Sequence, residues 1–253
     1  MSVMYKLPVI NIIIEAFWVP WKYKLQFFNM LALPMVLVVG ITSVWSEIAI
    51  ENRSFHLILY LIYVLSISFF AIKCHRFILI SHKVKAPSIN FSMLKRVIAF
   101  FIWLIIVYIV AGITLAVLLT LAMNTFSDGE LMKTSHQFTD KNFSWLKLVI
   151  MLPAGYVLAR LSLVFPAIAI DERTSMKWSW KASQNNGIRM LVLIGALPWI
   201  LTIFLDLLWR ENGTMLEYVI LSVLGYIVVA IEIFILSLVF KEFYRKEQLV
   251  KKE

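Results

Sequence analysis

Six runs of apolar residues dominate the chain, at 25–45, 55–72, 97–122, 144–170, 188–209 and 215–240. A helical crossing of a bilayer's hydrocarbon core needs about 20 apolar residues, and the runs meet that length or come close to it. The run at 55–72 is the shortest. It can extend past Lys73, because long cationic side chains lay their stems on apolar surface and keep the charge in water. The runs at 97–122 and 144–170 are longer than needed, which tilt accommodates. Hydrocarbon leaves no solvent for backbone N–H and C=O groups, and alternating strand patterns are missing, so helices are expected. Composition agrees: 61% of the 253 residues are hydrophobic and 15% are charged, whereas soluble domains run near a quarter charged. The expectation is a single all-α integral membrane domain over 1–253 with six transmembrane helices.

The net charge of +9 admits two readings, nucleic-acid binding or the cytoplasmic charge bias of a membrane protein. Its distribution decides. Lys6, Lys22 and Lys24 precede the first run, and Lys73, Arg76, Lys83, Lys85, Lys95 and Arg96 follow the second. Arg173, Lys177, Lys181 and Arg189 follow the fourth, and Lys241, Arg245, Lys246, Lys251 and Lys252 occupy the tail at 241–253. The opposite side holds only Arg53, Lys133, Lys141 and Arg210, while Lys147 and Arg160 lie inside the fourth run. Eighteen of the 24 Lys and Arg residues thus alternate onto one side, which predicts both termini in the cytoplasm and no nucleic-acid partner. Tryptophans at both expected interfaces agree: Trp45, Trp145 and Trp209 on the outer side, and Trp18, Trp21, Trp178 and Trp180 on the inner. Trp103 and Trp199 read as packing residues.

Three segments read as amphipathic helices lying in the interface before the hairpins: 8–24, 74–96 and 173–187, the last capped at Thr174 and stopped at Gly187. A threefold internal repeat is a weaker reading. Residues 123–143 form the one sizeable outer loop. The N-terminus lacks the continuous apolar stretch and small-residue cleavage site of a signal peptide.

Arg160 is the sharpest feature. A mid-span arginine costs on the order of 2.5–3.5 kcal/mol on insertion scales, so it faces protein or water. Its best acid by depth is Glu232 in the sixth run: at 1.5 Å per residue the two lie roughly 15 and 12 Å from the inner end. An Arg160–Glu232 pair is expected, either fixing helix packing and register or serving as a gate or proton-coupled site. Glu15 is a competing partner, should its helix turn toward Arg160. Asp206 and Asp171 read as interfacial carboxylates. Gly155 with Ala159, and Ser222 with Gly225, read as close-packing positions.

No P-loop, GxGxxG, HExxH or GxSxG motif occurs, so no cofactor, metal or catalytic residue is expected. His75 and His82 read as solvated or headgroup-facing. Cys74 stands alone, so no internal disulfide exists. Sequons at Asn52, Asn90, Asn142 and Asn212 lie close to the membrane and are expected to carry no glycan. Lys83, Lys85, Lys95, Arg96, Lys177 and Lys181 are candidate contacts for anionic lipid headgroups.

Residues 159–201, ARLSLVFPAIAIDERTSMKWSWKASQNNGIRMLVLIGALPWIL, carry an in-span arginine, then P-A-x-A-x-D, a Ser/Trp-rich helix and N-G before the next span. This stretch resembles uncharacterised bacterial six-helix inner-membrane proteins. Those in turn resemble the YciC-like proteins and the membrane domain attached to some glycerophosphodiester phosphodiesterases. The resemblance implies the bacterial inner membrane as location and Arg160, Pro166, Asp171 and Ser183 as the marked positions. It supplies no activity, since no soluble phosphodiesterase domain is present. The expected function is therefore non-enzymatic: a transport-related protein, or an accessory handling lipid or a partner protein. An intramembrane enzyme acting on lipid and a purely structural assembly factor are the alternatives. A wet cavity around Arg160 would favour transport, a lateral opening beside polar groups would favour lipid handling, and a dry Arg160 would favour a structural or partner-binding role.

Overall fold

A computed structural model describes residues 6–30, 32, 36–37, 53–80, 91–125, 144–172, 175–208 and 215–250, which are almost wholly helical with no strand among them. Among the described residues, five helical stretches are long and apolar enough to cross a membrane: Ile58–Leu79, Phe91–Leu121, Leu152–Ala169, Gln184–Leu208 and Val219–Tyr244. The expected first crossing, 25–45, lies largely outside the described residues, with helical backbone over 24–30. The elements are α1 (Val9–Lys22), α2 (Arg53–Leu79), α3 (Phe91–Thr125), α4 (Ser144–Leu161), α5 (Val164–Ala169), α6 (Met176–Ala182), α7 (Gly187–Met190), α8 (Leu197–Leu208) and α9 (Met215–Val250).

Two expected boundaries move. The segment 74–96 is not an interfacial helix: α2 continues to Leu79 and α3 already begins at Phe91. The cations that suggested a break are accommodated in place. Lys73 Nζ sits 4.5 Å from the Phe69 ring centroid, and Arg76 donates to Ala169 O at 2.8 Å. The expected fourth crossing, 144–170, by contrast, is split into α4 and α5 at Ser162 and Leu163. Pro166 explains the split. Its ring cannot sit one helical turn beyond the Ser162 carbonyl, and it has no N–H to offer that carbonyl. Phe165 N donates to Ser162 O instead, three residues back, at 3.0 Å. A second proline, Pro198, follows a π-helical turn at Leu191–Ala196, where Leu197 N reaches back to Val192 O. Wider turns of this kind re-satisfy carbonyls that a proline leaves free.

Helix register fixes the bundle. α2 and α9 run parallel: Phe70 meets Tyr226 at 6.1 Å between ring centroids, and Phe77 meets Phe234 at 6.5 Å. α3 runs antiparallel to both α2 and the fourth crossing, its Phe100 ring touching His75 at 6.1 Å and Phe165 at 4.8 Å. α4 packs on α3 and on the π turn, and α8 and α9 close the ring. α5 fills the middle, contacting α2, α3 and α9, with Val164, Phe165, Pro166, Ala167 and Ala169 buried. Small residues allow the α4 contact: Ala159 is fully buried, and a Cβ on Gly155 would meet Leu191 at 3.6 Å. Gly225 has open space instead, so it is not a packing position. Trp103 packs against the core as expected, but Trp199 is exposed. Large apolar side chains face outward along α3 (Ile102, Ile109, Ile113), and no residue of α8 is buried. Such surfaces suit a lipid solvent, where packing and not water exclusion holds helices together.

The ends of α2, α5 and α9 and the starts of α3 and α7 gather at one end of this bundle. α1 crosses that end. Leu7 N donates to Asn186 Oδ1, just before α7, at 2.9 Å, and Tyr23 meets Phe77 of α2 at 5.4 Å. Between these anchors Ile12, Ala16 and Val19, one turn apart, pack down on the bundle, where α1 contacts α9.

Candidate functional site

The gathered end holds the polar side chains. Arg160, on the last turn of α4, is 5% exposed and wholly engaged. Its Nε donates to Ser183 Oγ at 3.0 Å, its Nη1 to the Tyr156 hydroxyl at 3.2 Å, and its Nη2 to Trp180 O. The guanidinium also lies 3.8 Å from the Trp180 ring centroid. A serine stripe on α6 makes this possible. Ser175 caps the helix by accepting from Trp178 N at 3.1 Å. Ser179 donates to Arg160 O at 2.5 Å, and Ser183, one turn on, receives the guanidinium. Spacing of four keeps the three serines on one face. Thr174, the expected cap, lies outside the described residues. Gly187 does not stop a helix but begins α7. Its missing side chain leaves room for Tyr156, since a Cβ there would clash with the tyrosine hydroxyl.

The expected Arg160–Glu232 ion pair is therefore replaced. No ion pair joins the two among the described residues, and the break at Ser162 gives the reason. It ends α4 beside α6, and α6 packs at the level of Phe240, whose ring is 5.8 Å from Trp178. Glu232 lies eight residues earlier on α9, roughly 12 Å away along the axis. Glu15 does not turn to Arg160 either. It lines a cavity with Lys22 and Lys241.

Asp171 is the second centre. Arg96 grips it with two hydrogen bonds, Nε to Oδ1 at 2.8 Å and Nη2 to Oδ2 at 2.7 Å, and Arg76 Nη1 stands 3.9 Å from Oδ2. Asp171 has φ +64°, the left-handed region. The backbone around it forms a helix stop. Glu172 N donates to Ala167 O at 3.0 Å and Asp171 N to Ile168 O at 3.2 Å, a pattern that ordinarily puts glycine at this position. The Arg96 hydrogen bonds hold the Asp171 carboxyl below the usual carboxylate range; partial burial opposes them, and the charges of Arg96 and Arg76 reinforce them. Arg96, expected at a headgroup, is thus committed to a carboxylate. Tyr244 of α9 donates to the neighbouring Glu172 at 2.6 Å, tying a third crossing to this end.

The remaining expectations divide. Lys95, Lys177 and Lys181 are exposed, while Lys83, Lys85, His82 and the four sequons lie outside the described residues. His75 is neither solvated nor headgroup-facing: it is 1% exposed, with Nδ1 2.7 Å from Ser237 Oγ. Ser237 gives its only proton to Ile233 O at 2.7 Å, so the histidine must donate through Nδ1. Sequence reasoning missed this pairing, and no local signal marks it, because Ser237 lies 162 residues away. Of the marked positions, Arg160 and Ser183 meet directly, and Pro166 shapes the break between them. Asp171 belongs to the separate Arg96 centre.

A cavity of about 150 Å³ opens where α1 crosses α2 and α9, lined by Glu15, Trp18, Lys22, Tyr23, Ile78 and Lys241 among others. No group of three or more His, Cys, Asp and Glu able to hold a metal occurs among the described residues. No family model matches the chain, and no curated protein and no solved structure matches it either.

Proposed function

We propose that this chain is a non-enzymatic, six-span protein of the bacterial inner membrane, with both termini cytoplasmic, that handles membrane lipid at its polar end. The observation that carries this reading is the placement of α1. It is held across the ends of three crossings, exposes Trp18 and Trp21 outward, and opens a charged cavity beside them. An amphipathic helix of this kind belongs in the headgroup layer. The buried, hydrogen-bonded and stacked setting of Arg160 supports a strut between α4 and α6 and speaks against a gate at that residue. The resemblance to YciC-like proteins is part of the same proposal, with Arg160, Pro166 and Ser183 in a structural role.

Two measurements test it. Purified protein, passed through detergent exchange, should retain phospholipid in native mass spectra; release of all lipid would overturn lipid handling. Cysteines introduced singly at 123–143 and in the tail should react with impermeant reagent from opposite sides. Cys74 is fully buried, so it should give no background signal. Labelling from the same side would overturn the topology.

A transport reading has one observation in its favour. Glu232 is half-buried mid-crossing without an ion pair among the described residues, and the buried hydroxyls of Ser66 and Tyr226 have no hydrogen-bond partner there. Ion or solute flux in vesicles that Glu232→Gln abolishes would favour transport over lipid handling.

A further inference from the structure

We propose that the cavity between α1 and the ends of α2 and α9 seats the phosphoethanolamine headgroup of a membrane phospholipid. The inference rests on the lipid-handling reading and names the lipid. Three charges surround one cavity: Glu15 and Lys22 from α1, and Lys241 from α9. Glu15 pairs with neither lysine within ion-pair distance among the described residues. Opposite charges held apart around a shared space match a ligand that itself carries both signs. A phosphate takes the two ammonium groups, and a primary ammonium two carbons away takes the Glu15 carboxylate. The cavity's 150 Å³ is the volume of about five waters, the scale of a phosphate with an ethanolamine arm.

The surroundings continue the match. Trp18 lines this cavity and also a second, apolar depression of about 290 Å³ with Phe17 and Trp21. A charged seat thus opens onto an aromatic groove, the order in which a phospholipid presents headgroup and acyl chain. The exposed residues Ile10, Ile14, Trp18 and Trp21 continue an apolar surface along one face of α1. The seat is held before any lipid arrives. At one end Arg189 Nη1 donates to Leu7 O at 3.0 Å, and at the other Tyr23 packs on Phe77. A held site avoids the ordering cost of binding. A purely anionic headgroup would set its phosphate well but leave Glu15 facing a neutral group. A quaternary headgroup would offer Glu15 no N–H donor.

The full-length protein in detergent, titrated with phosphatidylethanolamine, phosphatidylglycerol or phosphatidylcholine of matched chains, tests this by native mass spectrometry. Phosphatidylethanolamine should bind roughly tenfold more tightly than either other lipid, the scale of one charge-assisted contact. Glu15→Gln should erase that preference while sparing phosphatidylglycerol, and Glu15→Lys should turn it toward phosphatidylglycerol. Lys22→Met with Lys241→Met should weaken all three, whereas Lys177→Met with Lys181→Met should change nothing. Thermal unfolding of each variant separates lost binding from lost fold, and the gain for phosphatidylglycerol in Glu15→Lys cannot come from misfolding. Equal binding of the three lipids by the unaltered protein would overturn the seat, as would a preference that Glu15→Gln leaves intact. In either case retained lipid would leave the broader reading standing; no retained lipid would remove both.

Discussion

Arg96 and Asp171 face each other through two parallel hydrogen bonds, with the aspartate held in a left-handed backbone conformation that glycine would adopt freely. The contact and the strain oppose each other at one residue. A left-handed non-glycine residue costs roughly 1–2 kcal/mol, less for aspartate, whose short side chain tolerates the region. The pair returns a similar amount at most, because the Asp171 side chain is 58% exposed and solvent screens it. Asp171→Gly should therefore shift the melting temperature little in either direction. Asp171→Ala loses the pair and keeps the strain, so it should destabilise by about 1–2 kcal/mol. Thermal unfolding in detergent ranks the two, and an Asp171→Ala variant as stable as Asp171→Gly would refute the strain argument.

The same contact sets a pH dependence. The folded-state carboxyl lies below its ordinary value because Arg96 holds the ionised form. Its stabilisation is thus complete above about pH 3.9, the unfolded value. It fades only as pH falls through the lower folded value. The stability gap between the unaltered protein and Asp171→Asn should stay constant from neutral pH to about 4 and close below that. A gap that already closes between pH 7 and 5 would contradict the assignment.

Arg160 and Glu232 should behave oppositely. Arg160→Met leaves the Trp180 carbonyl, Ser183 and the Tyr156 hydroxyl without their cationic donor, a loss of about 2–4 kcal/mol. Combined with Ser183→Ala, the effects should fall short of additive by about 1 kcal/mol, since the two residues share one contact. Glu232→Gln should change stability by less than about 1 kcal/mol, because no ion pair among the described residues depends on it. Chemical denaturation of the unaltered protein, the two single variants, their combination and Glu232→Gln decides; a large loss for Glu232→Gln would restore the ion pair that depth matching suggested.

Gly187→Ala should destabilise by about 1–3 kcal/mol through overpacking against Tyr156. Tyr156→Ala in the same chain should recover part of that loss. Full stability of Gly187→Ala alone would show that the tyrosine moves aside at no cost.

Much of this architecture could be read from residue order. Five of the six apolar runs coincide with helices long and apolar enough to cross a membrane among the described residues, because length and hydropathy answer directly to bilayer thickness. Their ends moved where Lys73 and Arg76 were tolerated on helix surfaces, which composition alone could not show. Depth matching failed for Arg160 because it treated 144–170 as one straight rod. The clue was present in Pro166, whose effect falls on the carbonyl of Ser162, and in the four-residue spacing of Ser175, Ser179 and Ser183. Burial of His75 was hidden for another reason: it depends on Ser237, 162 residues away.

The division of the fourth crossing into α4 and α5 has a kinetic consequence. Two hydrogen-bonded runs that meet at a proline-induced gap need not open together. Amide protons of α4 can trade with deuterium by unwinding from the far end, while those of α5, enclosed by three neighbours, wait for the whole bundle to loosen. One crossing would then report two clocks.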